Sequence, residues 1–202
     1  MKIMDTRIKA VQFDEENHKY FYNGKELHGV TGAIGKLMNK NFPDTDTVKL
    51  ATMYGSDVHK EIENYFNKHE NYFNDSELST EGAKWIVDTL KDFCSFVAEN
   101  IQGIECEVMA SDFIGTASKV DIVIRSRDGK AWLFDIKTTS HFDREYCSLQ
   151  LSVYKKLFEE CYGMTVAGLY VLGTKSKRRF RILDQGESKV NKILAMNKEE
   201  LK

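Results

Sequence analysis

The sequence predicts an α/β domain with a helical insertion, on the basis of three observations. Apolar residues recur with a helical period between about residues 31 and 100, and the period changes to two after that. The 202 residues are 42% hydrophobic and 30% charged, an ordinary globular balance that suffices for one well-buried core. No repeat, linker or low-complexity tract divides the chain. We therefore expect one domain over residues 1–202.

The first expected element is a β-hairpin within about residues 1–30. The stretch VQFDEENHKYFYNGKELHGVT alternates apolar and polar residues around Asn23-Gly24, which is a strong two-residue turn signal. A helical region follows over about 31–100. Its periodicity predicts helices near 31–39, 46–68 and 80–100, with Ser79 or Thr80 as the cap of the third.

The sheet core is expected over about residues 101–185. Alternating segments predict its strands, and one helix is expected between the third and the fourth of them. Gly163 stands where this helix needs a left-handed residue to end it. A final polar helix is expected within 186–202, at about 186–200. The predicted core elements are strands at about 104–110, 118–126, 131–138, 166–173 and 178–183, and a helix at about 144–162.

Composition and simple motifs exclude several classes of protein. The N-terminus has no apolar signal segment, and no run approaches the roughly 18 apolar residues of a membrane span, so a soluble cytoplasmic protein without membrane contact is expected. The four cysteines form no CxxC pair, which favours reduced thiols. The glycines of GVTGAIGKL miss the spacing of a phosphate loop, so ATP is not expected as a cofactor. The formal net charge of −2 leaves local contacts with nucleic acid open.

An acid and a base stand two positions apart in the strand segment FDIKTTS. Because side chains alternate along a strand, Asp135 and Lys137 share one face of it. Asp121 lies in the preceding strand segment, SKVDIVIRS. An ion pair on a solvated face is the alternative for Asp135 and Lys137 taken alone. Both strands are too apolar for edge strands, however, and charges in their middle indicate a cleft.

The register between those two strands decides whether the two aspartates meet. Arg127-Asp128-Gly129 forms a good three-residue hairpin loop, with its glycine at the left-handed position. This loop sets Asp121 directly opposite Asp135, whereas a two-residue turn would put them on opposite faces. Opposed carboxylates destabilise a sheet unless positive charge lies between them. Lys137 supplies one charge, and a divalent cation with hard oxygen ligands, Mg²⁺ or Mn²⁺, would supply two more.

These residues carry a family resemblance. Asp121, Asp135-Ile-Lys137 and Gln150-Leu-Ser-Val-Tyr154 together resemble the PD-(D/E)XK nuclease superfamily. The Gln-x-x-x-Tyr element is similar to that of the RecB-like branch, which includes phage exonucleases and the mitochondrial genome maintenance exonuclease. The resemblance covers roughly residues 10–183. It implies a restriction-endonuclease-like core with a mixed central β-sheet flanked by helices, and metal-dependent hydrolysis of phosphodiester bonds in DNA.

The resemblance also implies metal ligands and catalytic groups. Asp121, Asp135 and the carbonyl of Ile136 would hold the metal, and Lys137 would orient or activate the attacking water and stabilise the transition state. The stretch YGSDVHKEIE resembles the branch's upstream helix, and its His59 would be a further ligand. A histidine satisfied in the core is the alternative for that residue. Two more candidates precede Asp121 on one strand face: Glu107, which we favour as the last ligand, and its rival Glu105.

Two groups of residues are expected to bind the substrate. Gln150 and Tyr154 are neighbours on one helical face, and a glutamine there is costly to bury without partners, which favours a role at the site over an amide bonded within the core. A basic tract at a strand-to-strand turn would contact phosphates, unless it is only a solvated turn. The charged residues of the tract are Lys175, Lys177, Arg178, Arg179 and Arg181.

We therefore expect a Mg²⁺-dependent or Mn²⁺-dependent deoxyribonuclease, by analogy an exonuclease, that serves recombination, repair or replication in a phage or a bacterium. An inactive nuclease fold that binds nucleic acid or a protein partner is the alternative, and RNA as the substrate stays open. A recombination or replication protein and a second copy of the chain are the partners considered. Relatives with an iron-sulfur cluster group three cysteines near the C-terminus, a pattern that this chain lacks, so no cluster is expected. Ser118 stands where the branch commonly has glycine.

Overall fold

Eight strands form one mixed sheet in the computed structural model, which describes residues 4–39, 46–68, 78–97 and 100–199. A short 3-10 helix over Thr6–Ala10 precedes the first strand. The strands are β1 (Val11–Asp14), β2 (Lys19–Tyr22), β3 (Lys25–Gly29), β4 (Ile101–Ser111), β5 (Thr116–Ser126), β6 (Lys130–Lys137), β7 (Thr165–Gly173) and β8 (Arg178–Ile182). The helices are α1 (Val30–Leu37), α2 (Asp46–Lys68), α3 (Glu81–Phe96), α4 (Arg144–Tyr162) and α5 (Glu187–Glu199).

Helices cover both faces of the sheet. Buried side chains of α2 and α3 pack on one face, and buried side chains of α1, α4 and α5 pack on the other. The strand order is β1-β2-β3-β5-β6-β7-β8, with β4 paired to β5, and the pairs β3-β5 and β6-β7 are parallel while the others are antiparallel. The mixed central sheet flanked by helices is therefore confirmed. Among the helices of the described ranges, none combines the length with the apolar character that crossing a bilayer requires.

The N-terminal region contains the predicted hairpin, formed by β2 and β3, and a further strand, β1, makes it a three-stranded meander. The Asn23-Gly24 turn exists, with φ of 51° and 75°, and it joins β2 to β3. A second turn joins β1 to β2. It is built by Asp14, whose carboxylate accepts hydrogen bonds from the backbone and the side chain of Asn17, and by His18 at φ 56°. Side-chain capping of this kind is a weaker sequence signal than Asn-Gly, so the sequence patterns do not predict the turn between β1 and β2.

Most helix boundaries agree with the sequence signals. Thr80 caps α3, since its hydroxyl accepts a hydrogen bond from the Ala83 N–H at 3.1 Å, and Gly163 ends α4 in the left-handed region at φ 65°. α3 ends at Phe96, earlier than the predicted 100, and residues 98 and 99 lie outside the described ranges. The predicted end of the last helix at 200 also lies outside them.

The hairpin of β5 and β6 has the predicted register. Ile122 pairs with Phe134 and Arg125 with Ala131, and Gly129 adopts φ 83° in the three-residue loop. The strand pairing stops at Ile122, however. At its other end β5 pairs with β3 through Thr116 and Ala117 only. Among the described residues, positions 118–121 of β5 therefore have no strand along this edge, which leaves a gap in the sheet between β3 and β6.

Candidate metal centre

The gap in the sheet positions Asp121. Where β6 separates from β5, the backbone N–H of Ile136 donates a hydrogen bond to Asp121 Oδ2 at 2.6 Å, so a carboxylate replaces the missing ladder partner. Asp121 thus bridges the two strands at the level where the sequence register sets it opposite Asp135. The carbonyl of Ile136 belongs to the same short segment of β6.

Three of the five predicted ligand residues converge on one point. Nitrogen and oxygen atoms of His59, Glu107 and Asp121 all lie within 4.8 Å of one another. His59 Nδ1 is 3.7 Å from Glu107 Oε1, and His59 Nε2 is 3.8 Å from Asp121 Oδ2. Their side chains are 30%, 25% and 15% exposed respectively, so the cluster is accessible to solvent.

Glu107 and its rival Glu105 point to different partners. Glu105 forms an ion pair with Arg125, with 2.5 Å between Oε1 and Nε. Glu107 instead has a backbone φ of 52°, a left-handed conformation that costs a non-glycine residue about 1–3 kcal/mol. This bend lies at the point where Glu107 faces His59. The geometry therefore favours Glu107 over Glu105 at the candidate centre.

A close approach of α2 to the end of β6 brings His59 to the strands. A Cβ atom at Gly55 would lie 3.0 Å from Thr138 Oγ1, a tight contact that the absence of a side chain at Gly55 avoids. His59 is one helical turn beyond Gly55 and lies on the same side of α2.

Asp135 and Lys137 form an adjacent buried ion pair. Lys137 Nζ lies 2.9 Å from Asp135 Oδ1 and 2.8 Å from Oδ2, although only the Oδ1 contact has hydrogen-bond geometry. The side chain of Asp135 is 2% exposed. Burial opposes the charge on Lys137, but Asp135 and Asp121 outweigh it and hold the pKa of the ammonium above its usual range. Lys137 is therefore a fixed positive charge next to the carboxylates.

The electrostatics of the cluster favour a bound cation. Burial lowers the pKa of His59, but the attraction of Asp121 and Glu107 is stronger and raises it to about 9. Burial raises the pKa of Asp121 to about 6; the charge of His59 counteracts this rise and Asp135 adds to it. Burial also disfavours the charged form of Glu107, yet the hydrogen bond with His59 outweighs it and lowers its pKa. In the absence of metal, a proton on His59 thus balances these carboxylates.

The donor set fits a divalent cation. One imidazole nitrogen and two carboxylates meet at a partly exposed point, with the buried carboxylate of Asp135 beside them. Carboxylate-rich sites suit Mg²⁺ and Mn²⁺, and a mixed nitrogen and oxygen set also admits other first-row metals. A cation would replace the proton that His59 carries. His59, Glu107 and Asp121 are thus the residues that would hold the metal, with Asp135 next to them.

Metal binding is expected to stabilise the fold more strongly as pH rises. The pKa of His59 in the fold lies above the ordinary histidine value of 6.5, so its protonation stabilises the metal-free fold below pH 6.5 and this contribution is lost as pH rises through about 9. Asp121 acts in the same direction, because its raised pKa favours the protonated fold and that contribution is lost as pH rises through about 6. Thermal denaturation with Mn²⁺, with Mg²⁺ and with chelator at pH 6, 7, 8 and 9 would measure the effect. The metal-induced rise in Tm should grow with pH in the wild type and vary less in His59→Gln; a rise that is independent of pH would contradict the assignment.

Gln150 and Tyr154 are buried beneath the ion pair. Gln150 Oε1 lies 3.5 Å from Lys137 Nζ, and Gln150 Nε2 donates a hydrogen bond to the Tyr154 hydroxyl at 2.8 Å. The Ser118 hydroxyl also donates to Tyr154, at 3.2 Å. The structure thus brings both predicted residues to Lys137 but leaves little of their surface for contact with a substrate.

The basic tract begins beside the candidate centre. The Thr174 N–H donates to the carbonyl of Lys137 at 3.0 Å, so the turn after β7 starts at the end of β6. Lys175 Nζ lies 4.5 Å from the centroid of the Tyr54 ring, and Lys177 donates a hydrogen bond to a backbone carbonyl at the start of α3. Lys175 therefore lies over α2, the helix that carries His59, and Lys177 lies over the N-terminus of α3.

The three arginines of the tract are exposed on β8 and point in two directions. Arg179 and Arg181 share one face of the strand, and Arg178 lies on the other. The guanidinium of Arg179 packs 4.9 Å from the ring centroid of Phe93 and 5.5 Å from that of Tyr170. The five positive charges thus do not form one continuous patch.

Lys119 is a neighbour of the cluster that is absent from the predicted set. Its Nζ lies 3.7 Å from Glu107 Oε2 and 4.2 Å from the centroid of the Phe13 ring. Strand alternation offers a signal, because Lys119 precedes Asp121 by two positions and shares its side of β5. Its aromatic partner, Phe13, lies on β1, a strand that the sequence patterns did not predict as a separate element.

No family model matches the sequence, and a search of curated proteins finds no match. Among solved structures, the chain is similar to the crystal structure of a "Putative exonuclease" from Eubacterium rectale, with 15% sequence identity, a TM-score of 0.42, and coverage of 94% of this chain and 84% of that chain. A likeness at this level gives no information about activity. The function is therefore inferred from the geometry of the site.

Proposed function

We propose that the protein is a metal-dependent DNA nuclease, acting as an exonuclease in recombination, repair or replication. The observation that carries the proposal is the convergence of His59, Glu107 and Asp121 next to the buried pair of Asp135 and Lys137. The preference for DNA and for an exonuclease comes from the resemblance to the RecB-like branch. We place the whole chain in one nuclease domain, in the cytoplasm of a bacterial or phage-infected cell.

Mg²⁺ or Mn²⁺ would be held by His59, Glu107, Asp121 and Asp135, with the carbonyl of Ile136 as a further ligand. When bound, such a cation polarises a phosphoryl oxygen and lowers the pKa of coordinated water. The chain itself supplies the ligands and the surrounding charge. The partial exposure of the three clustered side chains leaves room for a phosphate group to approach.

Lys137 is the second functional group of the proposed site. Because the two aspartates hold its pKa above its usual range, its ammonium stays protonated at neutral pH. A protonated lysine cannot accept a proton from water, so its expected role is to orient the nucleophile and to stabilise negative charge on the transferring phosphoryl group. This favours charge stabilisation over general-base catalysis at this residue.

The basic tract from Lys175 to Arg181 is proposed to bind the DNA backbone. It begins next to Lys137, and all five charged side chains are exposed. Lysine and arginine contacts to phosphate carry no sequence information and weaken with salt. We therefore expect binding without sequence preference that decreases as salt concentration rises. Partner proteins of recombination or replication, and a second copy of the chain, are further proposed partners.

The proposed function is tested by incubating the protein with 5′-labelled and 3′-labelled DNA, single-stranded and double-stranded, with Mg²⁺, Mn²⁺ or EDTA. Glu107→Gln is the test variant, and Glu105→Gln is its matched control on the same strand. We expect metal-dependent loss of DNA with the wild type and with Glu105→Gln, and a fall of about 100-fold or more with Glu107→Gln, because a ligand of the cation is lost. The label that is released first gives the strand polarity.

Two outcomes would contradict the proposal. If the wild type leaves every DNA substrate intact with either metal but still shifts it on a gel, the protein binds nucleic acid without cutting it. If Glu107→Gln cuts as fast as Glu105→Gln, the cluster is not the catalytic centre. The same labelled substrates made as RNA distinguish the two nucleic acids.

A further inference from the structure

We propose that Lys119 couples the binding of a cation to the binding of DNA. Its ammonium pairs with Glu107 while the cluster holds no cation, and it contacts a DNA phosphate once a cation takes its place at Glu107. The inference rests on the proposed nuclease function and deepens it, since it names a further substrate contact at the same site and the condition under which that contact forms.

Glu107 lies between two groups that can carry positive charge. Its Oε1 is 3.7 Å from His59 Nδ1, and its Oε2 is 3.7 Å from Lys119 Nζ. Glu107 is also one of the three residues whose ligand atoms converge. A divalent cation held there would add two positive charges beside the ammonium of Lys119, and like charges so close repel each other. Lys119 and a cation therefore compete for Glu107.

The pair of Lys119 with Glu107 is loose. Its 3.7 Å separation exceeds the roughly 3.2 Å upper limit of an ordinary N–H···O hydrogen bond. The other acid-base pair on the same two strands is tight, because Arg125 Nε lies 2.5 Å from Glu105 Oε1 and its guanidinium lies 4.3 Å from the centroid of the Tyr162 ring. An arginine is a planar fork, whereas a lysine is a point charge on a flexible stem. Glu105 thus has a fixed partner, and Glu107 has one that can be displaced.

An aromatic ring holds the ammonium of Lys119 from the other side. Lys119 Nζ lies 4.2 Å from the centroid of the Phe13 ring. The rings of Tyr20 and His18 in turn contact Phe13, at centroid distances of 4.7 Å and 5.2 Å. A ring face attracts an ammonium through its quadrupole and does not require one particular N–H donor. An ammonium that leaves Glu107 therefore stays beside the cluster and can donate to a phosphate.

The position of Lys119 lets it reach a substrate. Its side chain is 21% exposed and that of Glu107 is 25% exposed. Lys119 also shares its side of β5 with Asp121, two positions along the strand, a separation of about 7 Å. Both residues lie in the gap between β3 and β6, where the described residues provide no strand partner. A phosphate that approaches the cluster from this edge thus meets the ammonium.

The test measures metal affinity and DNA affinity separately. Lys119→Met removes the charge and keeps an apolar stem, and Lys119→Arg keeps the charge. Lys19→Met is the matched control, a lysine of the meander that pairs with the exposed Glu26 at 2.9 Å. Calorimetric titration gives the affinity for Mn²⁺ without DNA. Fluorescence anisotropy gives the affinity for labelled phosphorothioate DNA, single-stranded and double-stranded, in EDTA and in saturating Mn²⁺, with a gel to check that the DNA stays intact.

The two affinities are expected to change in opposite directions in Lys119→Met. Its Mn²⁺ affinity should rise about fivefold, because the competing charge is gone. Its DNA affinity in Mn²⁺ should fall about fivefold to tenfold, and the slope of log K against log salt should lessen by about 0.7 to 0.9, the value of one phosphate contact. In EDTA its DNA affinity should stay within about twofold of the wild type, since Glu107 already holds the ammonium there.

The other variants separate this coupling from damage to the fold. Lys119→Arg should stay nearer to the wild type than Lys119→Met in both affinities, and Lys19→Met should match the wild type within about twofold. Phe13→Leu removes the ring face and should weaken DNA binding in Mn²⁺ without a change in Mn²⁺ affinity. A distorted site would instead lose affinity for both ligands. Because coupling is reciprocal, the factor by which DNA raises Mn²⁺ affinity should also be smaller in Lys119→Met.

The inference is overturned if Lys119→Met does not bind Mn²⁺ more tightly, or if it binds DNA in Mn²⁺ as well as the wild type does, in which case Lys119 only neutralises Glu107. An equal loss of DNA affinity in EDTA and in Mn²⁺ also overturns it, because the contact would then be independent of metal, as does a wild type that binds no DNA. A wild type that binds DNA but cuts no unmodified nucleic acid refutes the proposed function alone, and the two affinities still decide the coupling.

Discussion

Replacing Asp121 with asparagine is expected to abolish DNA cleavage and at the same time to make the metal-free protein more stable. Burial raises the pKa of Asp121 to about 6, so above that pH the fold holds a carboxylate whose charge its surroundings disfavour. The shift from 3.8 corresponds to about 1–3 kcal/mol of unfolding free energy at pH 8. Asparagine keeps an oxygen that accepts the hydrogen bond from the Ile136 N–H. It is a poor ligand for a cation, and a loss of activity of about 1000-fold or more is expected.

Denaturant unfolding with chelator at pH 8, together with the DNA cleavage assay, measures both effects. Asp128→Asn is the matched control, because it makes the same substitution seven residues later, in the exposed loop between β5 and β6. Hydrogen bonds with Lys130 and Ser126 lower the pKa of Asp128 to about 2, so its replacement should reduce stability slightly and leave cleavage unchanged. If Asp121→Asn unfolds more easily than the wild type without metal, Asp121 is a structural anchor and its assignment as a metal ligand loses its main support.

Replacing Lys137 with alanine is expected to destabilise the protein strongly as well as to inactivate it. The side chain of Asp135 is 2% exposed and its one described cationic partner within ion-pair distance is Lys137. Removing one member of a buried ion pair costs about 3–5 kcal/mol, because an uncompensated charge stays buried. The double variant Asp135→Asn with Lys137→Met removes both charges and keeps the apolar stem of the lysine. It should recover most of the lost stability and none of the activity.

A double-mutant cycle separates the two effects. The free energy of unfolding is measured for the wild type, Lys137→Met, Asp135→Asn and the double variant of these two substitutions, in chelator and in Mg²⁺, with Lys137→Ala measured beside them. Lys130→Ala is the control at the other end of β6, where the lysine pairs with the exposed Asp128 and a small effect on stability is expected. If Lys137→Ala has the same free energy of unfolding as the wild type in chelator, the ion pair with Lys137 does not stabilise the buried Asp135, and the prediction is wrong.

The agreement between sequence and structure is closest where local signals act alone. The three-residue loop with Gly129 fixes the register of β5 against β6, because a hairpin loop of a given length allows only one strand register. This register places Asp121 at the level of Asp135. Thr80 and Gly163 mark helix ends for the same reason, since each satisfies backbone groups within one turn of itself. These features depend on neighbours in the chain and could be predicted from it.

The contacts that build the candidate centre depend on distant parts of the chain. His59 lies on α2, which approaches the end of β6 closely at Gly55 and Thr138, 83 positions apart, and no local pattern encodes such a contact. The backbone bend at Glu107 likewise directs it to a different partner from Glu105, although strand alternation in the sequence places both residues on the same face.

The amino-acid sequence by itself determined the order of the strands and helices after the N-terminal meander, the hairpin register and the residue types that could hold a cation. The tertiary structure decided which of them meet, which carboxylate pairs with which base, and that Gln150 and Tyr154 lie beneath Lys137, 4% and 3% exposed. The physical reason is that turn and cap energies act over a few residues, whereas the packing of helices on the sheet is set by side chains far apart in the chain.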